Sequence, residues 1–279
     1  MSIFQAGESI AAVLRGQRVP LPQLELRMLL AYVAGLTRVQ MITQSERALN
    51  AREAQQLDAL CARRIAGEPI AYLLGEREFY GLALQVDPAV LIPRPETELL
   101  VELGLQHLPP NGRVLDMGTG SGAIAIAIAH TRPDAKVSAL DASSPALQVA
   151  QRNAARHDTR IRFLHSDWFA ALEDERFDLI VSNPPYIVAG DRHLAEGDLR
   201  FEPIDALTDH ADGLSALRMI SARAPAHLSP GGWLLMEHGY DQAQAVRTLL
   251  AAAGFDQARS WRDLAEIERV SGGQIAAPV

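Results

Sequence analysis

The chain has 279 residues, of which 48% are hydrophobic and 22% are charged. This composition is typical of a globular protein with one large domain, alone or accompanied by a smaller one. The single cysteine, Cys61, excludes a disulfide framework and favours a reducing compartment. The N-terminus lacks a basic start followed by an apolar run, and no apolar stretch is long enough to span a bilayer, so we expect a cytoplasmic protein without a membrane partner.

The charge balance bears on the partners. Lys and Arg number 26 against 34 Asp and Glu, which gives a formal net charge of -8. A protein that grips bare nucleic acid usually carries a basic face, and none is evident here. We therefore expect a protein or small-molecule substrate and no direct nucleic-acid contact. We also expect a monomer. The eight histidines are scattered without metal-ligand spacing, so no metal is expected.

Residues 1–75 have a helical pattern. Pro22 suits a helix start and Gly35 a helix end, with a broadly apolar segment between them. Asn50 and Glu53 form a capping-box pattern for a further helix that ends at Gly67. We predict a small all-α domain over 1–75. It would recognise a substrate or cover the mouth of an active site, and purely structural support stays open.

The character of the sequence changes after Gly75. Two short apolar runs flank Gly81, and prolines follow, so residues 76–95 predict a β-hairpin linker. From residue 96 to 279, helical and strand patterns alternate, which predicts an α/β domain with an open, Rossmann-like sheet. The seven predicted strands are 113–116, 136–141, 161–164, 177–183, 232–237, 255–261 and 268–274. Residues 189–212 are predicted to form a long polar loop.

A glycine turn follows the first strand of this domain and opens a helix: Gly118-Thr119-Gly120-Ser121-Gly122. Glycines let the backbone turn tightly and let a ligand approach the helix N-terminal amides. The spacing also satisfies the dinucleotide fingerprint, with Asp141 at the end of the second strand to bind ribose hydroxyls. The turn alone therefore leaves a nicotinamide or flavin dinucleotide open.

Two further features favour a different cofactor. Asp116 precedes the glycine turn, and a carboxylate aimed at the ligand suits a cation better than a pyrophosphate. Asp167 offers an acceptor for an adenine amine, and Trp168 offers an aromatic wall, although a core tryptophan explains Trp168 equally well. Because carboxyl ends of parallel strands share one edge, we expect Asp116, Asp141, Asp167 and Asn183 on one rim. That rim resembles an S-adenosylmethionine site.

The fourth strand ends in Asn183-Pro184-Pro185-Tyr186. Consecutive prolines cannot continue a strand, and they hold an extended backbone that presents carbonyl oxygens. Asn183 adds a side-chain acceptor, so two convergent acceptors could hold the N–H groups of a planar NH2. Tyr186 supplies a ring that could stack on a flat substrate group. A simple strand-end turn is the alternative interpretation.

In order and spacing, these motifs resemble the class I amino-methyltransferases, and four others extend the resemblance to the HemK/PrmC family over nearly the whole chain. The additional motifs are Gly67-Glu68-Pro69-Ile70-Ala71-Tyr72, Leu91-Ile92-Pro93-Arg94-Pro95-Glu96-Thr97-Glu98, Arg200-Phe201-Glu202-Pro203 and Glu237-His238-Gly239. That family methylates the amide nitrogen of the glutamine in the Gly-Gly-Gln motif of peptide-chain release factors. The resemblance implies a seven-stranded class I methyltransferase sheet, S-adenosylmethionine as cofactor and release factors as protein substrates.

The resemblance also implies roles for residues. Gly118, Thr119, Gly120, Ser121 and Gly122 would contact the methionine and ribose parts of the cofactor, Asp141 the ribose, and Trp168 with Asp167 the adenine. Asn183, also placed in the cofactor site, and the Pro184 carbonyl would bind the target amide, while Pro185 and Tyr186 wall the pocket. Arg94 to Glu98 would close the methionine end, and Glu202 would brace the loop, with a structural role equally open for Arg94 and Glu202. We expect proton loss during or after transfer, without a dedicated general base.

Several alternatives share parts of this pattern. An N6-adenine or N4-cytosine DNA methyltransferase would also use Asn183-Pro184-Pro185-Tyr186, but it would need a basic surface and a base-flipping apparatus. A ribosomal-protein glutamine methyltransferase would differ in its partner. A dinucleotide oxidoreductase would leave Asn183 without a role, and a non-catalytic binding module would require a disabled pocket. The chain's own Gly272-Gly273-Gln274 is interpreted as a coincidence.

Overall fold

The structure is a computed structural model and describes residues 2–277. The chain divides into two compact units, Met1–Gly75 and Glu76–Val279. The helices of the first unit are α1 (Ile10–Arg15), α2 (Gln23–Ala34), α3 (Arg38–Thr43), α4 (Ala51–Ile65) and α5 (Ile70–Leu74).

Local signals define these helices. The predicted capping box at the start of α4 is confirmed, since Asn50 accepts from Glu53 N and the Glu53 side chain accepts from Asn50 N. Gly35, with φ +63°, ends α2 in the left-handed conformation expected of a helix-terminating glycine. Apolar residues from all five helices form one buried core, which includes Leu29 and Leu57.

The second unit begins with an antiparallel hairpin and continues as an α/β domain. The hairpin consists of β1 (Glu76–Phe79) and β2 (Leu82–Gln85), as the sequence predicts. The other strands are β3 (Arg113–Met117), β4 (Lys136–Asp141), β5 (Ile161–His165), β6 (Phe177–Ser182), β7 (Leu228–Glu237), β8 (Asp256–Arg262) and β9 (Glu268–Gln274). The helices are α6 (Glu98–His107), α7 (Ala123–Thr131), α8 (Ser144–Arg156), α9 (Ile204–Leu207), α10 (Ser215–Arg223) and α11 (Ala243–Ala252).

Strands β3 to β9 form a seven-stranded sheet in the order β5-β4-β3-β6-β7-β9-β8. The predicted α/β, Rossmann-like fold is therefore confirmed. The pairs from β5 to β7 are parallel, while β9 runs antiparallel to both β7 and β8. The chain moves outward from β3 through β4 to β5 and then returns to β6 on the other side of β3. Open α/β sheets bind ligands at such a switch point, outside the carboxyl ends of the two central strands.

Side chains of the central strands point alternately to the two faces of the sheet, and both faces are buried. Val114 and Leu179 belong to one core, which also contains apolar residues of α6 and α7. Their neighbours Leu115 and Ile180 belong to a second core, which contains apolar residues of α10 and α11. Successive side chains of a strand point to opposite faces, so the continuous apolar runs of β3 and β6 are what a sheet covered on both sides requires.

Two sequence expectations need correction. The segment 189–212 is not simply a polar loop, because it contains 3-10 helices at Arg192–Ala195 and Gly197–Phe201 and the short α9. Strand β7 begins at Leu228, four residues before the predicted start, because Leu228 pairs with Phe177 ahead of a bulge.

No helix within residues 2–277 combines the length and apolarity needed to cross a membrane.

The chain's own Gly-Gly-Gln lies in β9. A Cβ atom on Gly272 would come within 2.4 Å of the Leu234 carbonyl oxygen, so the strand requires glycine there. The Gln274 side chain donates from Nε2 to the Gly231 carbonyl oxygen at 2.8 Å. Packing of β9 against β7 thus accounts for this motif.

Candidate active site

A cavity of about 710 Å³ opens at the switch point of the sheet. Its size lies within the range of small-molecule sites, roughly 300–1,000 Å³. Residues predicted for the cofactor and for the substrate line it together: Gly118, Gly120, Asp141, Trp168, Asn183 and Pro185. The remaining wall is formed by Ala89, Val90, Leu91, Leu140, Ala142, Ser143, Ala146, Ser166, Pro203, Asp205, Ala206, Thr208, Asp209, His210, Ser215, Ala216 and Met219.

The glycine turn presents backbone to the cavity. Gly118 and Gly120 have φ of +70° and +55°, and no described atom lies within 4 Å of the position that a Cβ would take on either. The Gly120 N–H donates to Asp141 Oδ2, and the Ser143 N–H donates to Asp141 Oδ1, both at 2.8 Å. Burial raises the pKa of Asp141, and these backbone donors oppose the rise. Asp141, at the end of β4, therefore holds the glycine turn that follows β3.

Three residues of the turn that were predicted to contact the cofactor are buried: Thr119, Ser121 and Gly122. The Thr119 hydroxyl donates to Asp116 Oδ2 at 2.6 Å, and the Ser121 carbonyl oxygen accepts from Asn153 Nδ2 at 2.9 Å. Gly122, with φ +84°, packs against α8, where an added Cβ would lie 3.1 Å from the Ala150 Cβ. These three residues build the turn and are not among the described residues that line the cavity.

Asp116 does not lie on the rim of the cavity, contrary to expectation. Its side chain is fully buried, and Oδ2 accepts from the Thr119 hydroxyl and from Ala125 N in the first turn of α7. Burial raises its pKa to about 7, and these two donors oppose the rise. Oδ1 makes no hydrogen bond within residues 2–277. Asp116 therefore anchors the glycine turn from below.

Of the two predicted cofactor residues after β5, Trp168 lines the cavity and Asp167 does not. Trp168 lines the cavity with a positive φ of +47°, and its carbonyl oxygen accepts from the Ser166 hydroxyl at 2.7 Å. Asp167 is exposed and is not among the described residues that line the cavity. The sequence analysis assigns no role to Ser166, although its position directly after a strand end is a signal for one.

The end of β6 brings Asn183 and Pro185 into the wall of the same cavity. Asn183 Nδ2 donates to Thr97 Oγ1 at 3.1 Å, while Pro184 is buried. The Tyr186 hydroxyl donates to Glu237 Oε1 at 3.1 Å, and its ring packs on the core beneath the sheet. Burial and the Glu237 carboxyl raise the pKa of Tyr186. Tyr186 thus supports the wall from behind.

Glu237 is a candidate for the site to which the sequence analysis assigns no role. It ends β7 with only 1% of its surface exposed, and burial raises its pKa to about 7 against the lowering effects of Thr97, Tyr186 and Arg269. The motif Glu237-His238-Gly239 was recognised only as part of the resemblance. Its strand-end position beside β6 was the available signal, since strand ends in parallel sheets meet at one edge.

Glu202 joins two segments that line the cavity. Its buried carboxylate accepts from Ile92 N at 2.9 Å and from Arg94 Nη2 at 2.5 Å. Residues 89–91 precede these partners, and Pro203 to His210 follow Glu202, so this one carboxylate fixes two cavity walls from distant parts of the chain.

Solved structures share this fold. A methyltransferase from Pyrococcus furiosus superposes with a TM-score of 0.55 at 18% identity, over 78% of this chain and 98% of that one. The 16S rRNA N2 G1207 methyltransferase RsmC of T. thermophilus, solved with AdoMet and guanosine, has a TM-score of 0.53 at 25% identity, over 72% of this chain and 49% of that one. The fold and the cavity at its switch point define a class I methyltransferase.

Sequence comparison specifies the family. Residues 5–75 match the model of the PrmC N-terminal domain, and residues 95–197 match that of the Methyltransferase small domain. The release factor glutamine methyltransferase of Burkholderia pseudomallei is 57% identical over 92% of this chain and 93% of its own length. That of Escherichia coli is 46% identical over 91% and 92%. The chain belongs to the release factor glutamine methyltransferases.

Proposed function

We propose that this chain transfers a methyl group from S-adenosylmethionine to the side-chain amide nitrogen of the glutamine in the Gly-Gly-Gln motif of class 1 peptide-chain release factors. The observation that carries the proposal is the single cavity that Gly118, Gly120 and Asp141 line together with Asn183 and Pro185. Family membership supports the same substrate.

The cofactor side has groups that suit a nucleoside. Gly118 and Gly120 leave open space where side chains would stand, and Asp141 and Trp168 line the same cavity. We assign the turn Gly118 to Gly122 to the cofactor, with Gly118 and Gly120 in contact through backbone atoms and the three residues Thr119, Ser121 and Gly122 shaping the turn. We assign Asp141 to the ribose and Trp168 to the adenine, with Asp167 at the edge. When bound, S-adenosylmethionine supplies an electrophilic methyl group on a sulfonium. The product would be S-adenosylhomocysteine.

The substrate side would hold the target amide through acceptors. An amide nitrogen is a poor nucleophile because its lone pair is delocalised into the carbonyl. The Asn183 side-chain oxygen and the Pro184 carbonyl oxygen would accept the two amide N–H groups, so the nitrogen is oriented for in-line transfer. Pro185 walls the pocket, and Tyr186 supports it from behind. We propose that the proton leaves during or after transfer, without a dedicated general base.

The setting follows from the substrate. Release factors act in translation, so we propose that the protein works in the cytoplasm, as a monomer and without direct nucleic-acid contact. The net charge of -8 supports the last point, because a nucleic-acid-binding surface is usually basic. Residues 1–75 would recognise the release factor, residues 76–95 would link the domains, and residues 96–279 would carry the methyltransferase site.

The test is a methylation assay with radiolabelled S-adenosylmethionine. The purified protein is incubated with a release factor, with its Gly-Gly-Gln→Gly-Gly-Ala variant, with duplex DNA and with ribosomal protein. We expect label on the intact release factor alone. Label on DNA or on ribosomal protein would overturn the substrate assignment but keep the amide or amine chemistry. Absence of label from all four acceptors, with S-adenosylhomocysteine binding confirmed by calorimetry, would overturn the proposed activity.

A further inference from the structure

Asn183 is held from behind by a residue far away in the sequence. Its Nδ2 donates to Oγ1 of Thr97, which lies 86 residues earlier and ends the 3-10 helix Pro95–Thr97. The Thr97 side chain is buried, with 4% of its surface exposed. Asn183 itself lines the cavity, and this contact takes up one N–H of its NH2 group and turns that end of the amide toward Thr97, which leaves its carbonyl oxygen for a ligand.

The contact with Thr97 could form in two ways. A hydroxyl can both donate and accept, whereas the two ends of an asparagine amide differ, one donating and the other accepting. If Thr97 donated its proton to Asn183, the amide would turn over and present NH2 to the cavity. A pocket that presents donors could not accept the N–H groups of a substrate amide. The orientation of one hydroxyl proton therefore decides what the cavity offers.

Glu237 provides the competing acceptor for that proton. Its carboxyl is buried and accepts from the Tyr186 hydroxyl through Oε1, and the Thr97 hydroxyl lowers the pKa of this carboxyl. Its Oε2 has no hydrogen-bond partner in the part of the chain that is described. A carboxylate accepts a proton more strongly than an amide oxygen does, and a buried unpaired oxygen is costly, so the Thr97 proton is drawn to Glu237.

We propose that Thr97 and Glu237 form a positioning pair that fixes the Asn183 amide with its carbonyl oxygen toward the cavity. This inference rests on the proposed function, in which that oxygen binds the target amide. Neither Thr97 nor Glu237 lines the cavity among the described residues, so both act through Asn183. Tyr186 completes the arrangement, because it donates to the same carboxyl and belongs to the same turn after β6.

The charge of Glu237 controls this arrangement. The groups that act on its carboxyl are Arg269 of β9, Glu96 of the 3-10 helix, Tyr186 and Thr97. Arg269 and the two hydroxyls favour the charged carboxylate, while burial and Glu96 favour the neutral acid. When Glu237 is neutral, its attraction for the Thr97 proton falls, and the Asn183 amide loses its fixed orientation.

The test compares Thr97→Val, which removes the hydroxyl but keeps the shape, with Thr97→Ser, which keeps the hydroxyl. We expect Thr97→Val to lower kcat for release-factor methylation by about 100-fold, the scale of a misplaced reacting group. The Kd for S-adenosylhomocysteine should stay within about threefold of wild type, and Thr97→Ser should recover most of kcat. Equal kcat in Thr97→Val and wild type would overturn the proposal, as would equal losses in both variants.

A second measurement does not depend on methylation. The 15N side-chain NH2 signals of Asn183, assigned by their loss in Asn183→Asp, should shift strongly in Thr97→Val and in Glu237→Gln and little in Thr97→Ser. In wild type they should also move with pH near neutrality. Signals that ignore all of these changes would overturn the positioning pair even if Thr97→Val folds poorly. A wild-type protein that fails to methylate release factor would refute the proposed function alone, because these signals would still report on Thr97.

Discussion

The two sides of the cavity are both supported by a buried carboxyl group, but they are built differently. Asp116 accepts from Thr119 in the glycine turn, Glu237 accepts from Tyr186 in the segment after β6, and burial raises the pKa of each to about 7. Each also has one oxygen without a hydrogen bond within residues 2–277. Asp116 holds groups three and nine residues away, whereas Glu237 holds Tyr186 across 51 residues. One side is local in sequence and the other depends on long-range packing.

This difference matches what each side has to present. The glycine turn offers backbone groups, whose directions follow from φ and ψ and from the start of α7. The Asn183 side offers one end of a side-chain amide, whose two ends have nearly the same shape. Only neighbouring donors and acceptors can decide which end faces the cavity. A buried network is therefore needed on one side and a short glycine motif suffices on the other.

The largest expected effect separates the two sides by activity. Asn183→Ala removes the side-chain acceptor, and we expect kcat for release-factor methylation to fall by at least about 1,000-fold, as for loss of a group that stabilises the transition state. The glycine side is unchanged, so calorimetry should still detect S-adenosylhomocysteine binding. Substantial residual turnover would contradict the role of Asn183.

The next effect tests the long-range support of the walls. Glu202→Ala removes the acceptor of Ile92 N and leaves Arg94 without its carboxylate partner. We expect the free energy of unfolding to fall by about 3 kcal/mol, the scale for breaking a buried ion pair. Urea unfolding measures this loss. Glu202→Gln is the matched control and should lose less, because its amide oxygen can still accept from Ile92; equal losses would show that this hydrogen bond is unimportant.

A smaller effect compares two glycines of the same turn. Gly122→Ala combines a positive φ with a Cβ that would stand 2.9 Å from Ile126 Cδ1, and we expect it to lower the free energy of unfolding by about 2 kcal/mol. Gly118→Ala carries the positive φ without the crowding. It should destabilise by about 1 kcal/mol and should weaken S-adenosylhomocysteine binding more than Gly122→Ala does. The reverse order of binding losses would move the cofactor away from Gly118.

The last effect uses the raised pKa of Glu237. Between pH 4.5, the ordinary pKa of a glutamate, and about pH 7, the folded protein binds more protons at Glu237 than the unfolded chain does. The stability contributed by this group is thus complete below 4.5 and is lost as pH rises through about 7. From about pH 6 to about pH 8.5, the unfolding free energy of wild type minus that of Glu237→Gln should fall by about 1.4 kcal/mol.

Urea unfolding of both proteins across this pH range checks the value. Asp116 titrates in the same direction, but it is present in both proteins and cancels in the difference. A difference that is flat with pH would mean that the carboxyl of Glu237 does not change its charge between these conditions.

The sequence by itself determined most of the fold and the chemical groups of the site. Strand lengths, capping residues and glycine stops are local, so β3 to β6, the hairpin around Gly81 and the start of α4 followed from the pattern. The strand-end rule brought Gly118, Asp141 and Asn183 to one edge, since carboxyl ends of parallel strands meet there.

Only the tertiary structure decided which strand-end groups face the cavity and which support it. Asp116 and Asp141 both lie at the carboxyl ends of strands, yet Asp116 is buried beneath the glycine turn whereas Asp141 lines the cavity. The antiparallel pairing of β9, the hydrogen bond of Asn183 with Thr97 and that of Tyr186 with Glu237 likewise depend on contacts between distant segments. A residue pattern records local geometry and burial, but it does not record which partner a buried polar atom finds, because that partner is chosen by packing.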